Sequence, residues 1–153
     1  MASWGDFAAA APGLAGRVRA IFAARKHHTV ATLRRDGSPR VSGIEVEFRD
    51  DGELVLGMMP GSRKLEDVTR DGRVALQALS DDPPADDQAS WGGDAKLAGV
   101  ARLLPARPDD QPPGDRFGID ITEVVLTHLN DAADLLVIES WHPDRGTETR
   151  SRT

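Results

Sequence analysis

The sequence predicts a mainly β protein, a small antiparallel barrel with short helices at its periphery. Three observations carry this. From His28 onward, short segments alternate apolar and polar residues. Turn signals at Asp36-Gly37, Asp50 to Gly52 and Asp71-Gly72 separate them, at the spacing of about 8–12 residues typical of strand-and-hairpin proteins. The length, 153 residues, suits one domain, since a chain of that size buries roughly 70% of its unfolded surface.

Residues 1–25 are expected to be helical. Ser3 followed by Asp6 has the form of a capping box, and Trp4, Phe7 and Ala11 share one face. Pro12 opens a second helix, with Leu14, Val18, Ile21 and Phe22 at helical spacing. The apolar stripe is narrow, so the pair should lie on a larger body. Residues 28–33 then form a strand, and Asp36-Gly37 turns the chain. Ile44, Val46 and Phe48 alternate with Glu45 and Glu47, which makes a half-buried strand. Residues 54–59 are apolar on both faces, as in a barrel wall. Pro60-Gly61 ends that strand, Ser62 caps a short helix with Leu65 and Val68 inward, and Asp71-Gly72 stops it. Residues 73–79 and 94–104 are further strands. Residues 121–129 have helical spacing but β-branched composition. We read a strand, joined through Asn130 to Asp134 to a partner at 135–141. Residues 80–93 and 105–115 are polar loops, and 144–153 is expected to be a flexible tail.

Composition removes whole classes of function. The net charge of −6 repels phosphate backbones, and 5% aromatic residues without Tyr leave little for base stacking. We expect no nucleic-acid partner. There is no Cys, so thiolate metal sites and cysteine nucleophiles are absent. No apolar run approaches the ~20 residues of a membrane helix, and Met1 to Ala8 lacks the basic start of a secretory signal. The expected setting is cytoplasmic, away from membranes. His27 and His28 are adjacent and should face opposite ways on a strand. With His128 and His142 they read as partly exposed strand-end residues, and no metal site is expected.

One segment stands out chemically. Ser62, Arg63 and Lys64 lie where a strand passes into a helix. Unpaired amides and the helix dipole already make that end positive, and two more cations there are unfavourable by roughly 0.3–1 kcal/mol each. A bound anion reverses the sign, because amides, a hydroxyl, a guanidinium fork and an ammonium make a phosphate cradle. The plainer reading is two solvated cations on a short helix. Arg40 similarly opens a strand beside Ser42 and Gly43. It is either an edge residue near a turn or a second contact to the same ligand.

The order Arg40, Val41, Ser42, Gly43, Ile44, then Gly57 and Met58, then Gly61, Ser62, Arg63, Lys64, then Asp71 to Leu76 resembles the pyridoxamine 5′-phosphate oxidase-like flavoproteins. The resemblance spans about residues 25–146. It implies a six-stranded split β-barrel, binding of FMN at a homodimer interface, and oxidoreductase activity on a small molecule. Arg40 to Ile44, Gly57, Met58, Ser62, Arg63 and Lys64 would hold the cofactor; no catalytic side chain is implied. Two positions depart from the family pattern, Glu45 where a Lys is usual and Asp94 where a Gln contacts the flavin. The Arg and His that bind pyridoxal substrates have no match. Similar proteins use 8-hydroxy-5-deazaflavin (coenzyme F-420) instead of FMN, and some split-barrel relatives bind FMN or haem without turnover.

Overall fold

Period-two burial sets the strands. In β1 (His27–Leu33) the side chains of His28, Val30 and Thr32 are buried and the others are not. β4 (Arg73–Leu79) buries Val74, Leu76 and Ala78 in the same way. β3 (Leu54–Met58) is buried at four of its five residues, as a barrel wall requires. The computed structural model describes residues 1–153. Its remaining strands are β2 (Pro39–Phe48), β5 (Asp94–Leu103), β6 (Asp115–Leu129), β7 (Leu136–His142) and β8 (Gly146–Arg152).

All pairings are antiparallel, in the order β3-β2-β1-β4-β5-β6, and β6 returns to β3 to close a six-stranded barrel. The closure uses only the first residues of β6, with Gly118 opposite Val55 and Asp115 opposite Met58. Its far half, Val124 to Leu129, pairs with β7 on the side away from β5, and β7 pairs with β8. One long strand therefore serves both the barrel and the three-stranded extension.

Two expectations are corrected here. The tail forms β8, hydrogen-bonded to β7 from Gly146 to Arg152. β6 begins at Asp115, well before the expected 121.

Helices α1 (Trp4–Ala10) and α2 (Pro12–Ala23) cover the barrel. The Ser3 hydroxyl accepts from the Asp6 amide at 3.1 Å, and the Asp6 carboxylate accepts from the Ser3 amide at 2.8 Å. This reciprocal cap fixes the entry of α1. It delivers Trp4 and Phe7 into an aromatic cluster, where Trp4 meets Phe48 at 4.7 Å and Phe7 meets Trp141 at 4.9 Å between ring centroids. Burial of such a ring contributes about 1.5–3 kcal/mol. Leu14, Val18, Ile21 and Phe22 of α2 are all buried in the same core. No helix is long and apolar enough to cross a membrane.

The third helix, α3 (Arg63–Arg70), packs against β1 and follows β3 directly. The intervening turn needs a left-handed residue, supplied by Gly61 at φ +74°.

Candidate functional site

The start of α3 is short of hydrogen-bond partners. The Ser62 amide donates to the Met59 carbonyl at 3.2 Å, and the Ser62 hydroxyl accepts from the Leu65 amide at 3.4 Å. The Glu66 amide donates to the Ser62 carbonyl. The amides of Arg63 and Lys64 have no partner in the chain. They are the open donors that favour an anion at a helix start. Arg63 meets Glu66 at 3.2 Å, but both side chains are well exposed, so the pair contributes at most about 1 kcal/mol. Lys64 Nζ donates to the Gly43 carbonyl at 2.7 Å and ties α3 to β2.

Arg40 is held from below. Its Nε donates to Asp67 Oδ2 at 2.7 Å, and its two terminal nitrogens have no partner in the chain. Asp67 lies on the inward face of α3 and is 2% exposed. Thr32 Oγ1 donates to the same oxygen at 2.8 Å, and Arg70 donates to the other at 3.1 Å. Burial alone would raise the Asp67 carboxyl, but the hydrogen bonds from Arg40, Thr32 and Arg70 outweigh it and hold it down at about 2. Asp67 is therefore an anionic post that orients two guanidiniums.

Seven of the sequence-predicted residues fall on two adjoining depressions. Arg40 and Arg63 line one of about 940 Å³. Gly43, Ile44, Gly57, Met58 and Lys64 line another of about 510 Å³. Lys64, bonded to Gly43, stands on the second side. Strand alternation divides β2 as well. Arg40, Ser42 and Ile44 turn one way, and Val41 and Gly43 turn outward. Met58 is 1% exposed, with its side chain in the core, so only its backbone can meet a ligand. Val41 borders a third, shallow depression on the outside of the sheet.

Several residues of this region are visible only in three dimensions. Arg116 of β6 sits opposite Gly57, and its guanidinium lies 3.4 Å from where a Gly57 Cβ would stand. It donates to the carbonyls of Pro112 and Gly114, which fixes the wall of the second depression. Asp110 accepts from the buried Arg49 at 2.8 Å and anchors the same loop. Lys26 and His27 border the rim, both within 3.7 Å of Glu45. His28 corrects the expectation of partly exposed histidines. It is 6% exposed, packs on Phe22 at 4.9 Å, and neither ring nitrogen has a partner. Glu45 lies on the outward face, paired with Lys26 and His27, and lines the second depression with them.

A six-stranded split barrel whose short helix opens with two free amides and a Ser-Arg-Lys run defines a class that comparisons then identify. The family model described as pyridoxamine 5′-phosphate oxidase matches residues 14–138, and the chain belongs to that family. No protein with a curated description matches the sequence. Among solved structures, the chain is similar to a pyridoxamine 5′-phosphate oxidase-related, FMN-binding protein from Nostoc punctiforme. Identity is 10%, coverage 100% of this chain and 98% of that one, and the TM-score 0.65. It is also similar to PhzG from Burkholderia lata, solved with tetrahydrophenazine-1-carboxylic acid, at 14% identity, 94% and 87% coverage and a TM-score of 0.61. A heme binding protein from Mycobacterium smegmatis matches at 11% identity, 88% and 86% coverage and a TM-score of 0.52. At these identities the likeness is one of fold.

Proposed function

We propose that the chain binds FMN and acts as a flavin-dependent oxidoreductase on a small molecule. The observation that carries this reading is the start of α3. Two unpartnered amides stand there beside the Arg63 and Lys64 side chains, and the free fork of Arg40 opens on the same depression as Arg63. That donor set fits a phosphate monoester. The Ser62 hydroxyl can donate its proton to the same group, because its bond to Leu65 uses it as an acceptor. From Lys64 the cofactor would extend along Gly43, Ile44, Gly57 and the Met58 backbone. When bound, the flavin supplies hydride and electron chemistry, and these residues bind and orient it.

A homodimer belongs to this reading. Val41, Ala31, Ala75 and Ala98 are direct cross-strand neighbours, forming one row across β2, β1, β4 and β5. Val41 is 70% exposed. Exposed apolar rows of this kind mark interaction surfaces, and Val41 shares its outward face with Gly43, which lines the second depression, so a second copy would border the cofactor. Deazaflavin (coenzyme F-420) is the alternative cofactor for the same anion cradle. A non-catalytic FMN or haem carrier is the reading from another class, favoured by His27 at the rim of the 510 Å³ depression and by the heme-binding relative. A cytoplasmic setting goes with all three.

The test is reconstitution with FMN, deazaflavin and haem in turn, followed by absorbance and fluorescence. FMN should bind most tightly, and Arg63→Ala with Lys64→Ala should weaken it by roughly 100-fold or more, since hydrogen bonds to charged groups contribute ~1.5–3 kcal/mol each. The double variant gives up the Lys64 bond to Gly43, so its melting should fall by only about a few degrees while its circular dichroism stays that of the parent. Unchanged FMN affinity in that variant rejects the site, and a bound flavin that neither reductant nor acceptor can cycle favours the carrier.

A further inference from the structure

The depression beside α3 is larger than one phosphate requires, and its far wall is basic as well. Arg34 and Arg35, at the tip of the β1–β2 hairpin, line it together with Arg40, Arg63 and Arg70. Five guanidiniums thus line about 940 Å³, against the three carboxylates of Asp36, Glu66 and Asp67. The chain as a whole carries −6, so this is a positive basin on an acidic molecule.

Structural roles account for only part of it. Asp67 holds Arg40 and Arg70, and Glu66 meets Arg63 on the surface. Arg34 donates to the Pro39 carbonyl at 2.6 Å, which braces the hairpin, and has no carboxylate partner. Arg35 has no hydrogen bond or ion pair in the chain, and is exposed. An Asp-Gly hairpin turn needs no flanking cations to form. Gathering like charges is unfavourable until an anion joins them. Guanidinium forks match phosphate and carboxylate oxygens in pairs.

We infer that this basin binds a small molecule carrying two or more linked oxyanions, one at the start of α3 and the next against Arg34 and Arg35. The inference extends the FMN reading, since FMN has a single phosphate.

The experiment titrates the purified full chain with orthophosphate, pyrophosphate and tripolyphosphate at fixed ionic strength, by calorimetry. Tripolyphosphate should bind at least ten-fold more tightly than orthophosphate. Arg34→Ser with Arg35→Ser should remove that difference and leave FMN affinity within two-fold. Both residues are exposed at a turn, and an unchanged circular dichroism spectrum will confirm the fold. Equal affinity for the three anions, or a chain-length preference that survives the double variant, overturns the inference. If tripolyphosphate binds and FMN does not, the flavin reading falls and this one stands. Should FMN bind without any preference for linked anions, the reverse holds. Tripolyphosphate should displace FMN, because both would place an oxyanion at the start of α3; simultaneous binding overturns that placement.

Discussion

Asp67 and Arg40 lie 27 residues apart and meet at 2.7 Å, Oδ2 to Nε, where α3 crosses the end of β2. The carboxylate takes one nitrogen of the guanidinium and leaves the fork pointing outward. Asp67→Ala removes this support from Arg40 and Arg70 together. It should destabilise the fold by about 1–3 kcal/mol, because both cations keep some water access but lose their charged acceptor. Asp67→Asn, which keeps an acceptor for Thr32, should cost less. Urea unfolding of the three proteins checks the order.

Acid should act through the same residue. In the unfolded chain an aspartate protonates near pH ~4, whereas folded Asp67 stays ionised down to about 2. Between those values the unfolded state binds more protons, so stability rises with pH there and is lost as pH falls through about 2. Unfolding midpoints measured between pH 4.5 and pH 2, as an approximate working range, should fall more steeply for the parent than for Asp67→Asn. Equal slopes would show that Asp67 is not the group responsible.

The row from Val41 to Ala98 makes a separate prediction. Ala75 is at its centre, paired with Ala31 on one side and Ala98 on the other. Ala75→Arg should give a monomer by light scattering, with melting little changed, since the side chain faces outward. It should also weaken FMN binding if the cofactor sits at the seam. A substituted protein that remains dimeric would move the interface elsewhere.

His28 is a polar ring in an apolar place. Both its nitrogens lack partners while its face packs on Phe22. An unsatisfied buried group costs roughly 1–3 kcal/mol. His28→Leu should therefore leave the protein equally stable or stabilise it by about 1 kcal/mol, in the same urea assay. A loss of stability would point to a contact that the ring alone supplies.

Much of this architecture was readable from the residues. Ser3 with Asp6, and Ser62 before Leu65 and Val68, mark helix starts through side-chain chemistry that acts over three residues. β4 shows its alternation because one face meets the core and the other does not. β8 hid for the opposite reason: neither of its faces is buried, so Thr147 to Arg152 show no apolar period. Asp67 hid because an acid on a short helix looks solvated until the barrel end beneath it is known. The candidate site residues were chosen by type and order, but the division of seven of them between two depressions follows from the pleat of β2 and the bond between Lys64 and Gly43. Arg116 could not be placed at all, since its pairing with Gly57 spans the closure of the barrel.

That polar last strand has its own consequence. The rim of β8 beyond β7 offers bare peptide groups to any passing chain, and such rims seed fibres when they are oily. Here Glu148, Arg150 and Arg152 interleave with hydroxyls, so an incoming copy would find charge to desolvate and nothing greasy to bury. Edge-to-edge growth of copies along this strand is thereby disfavoured.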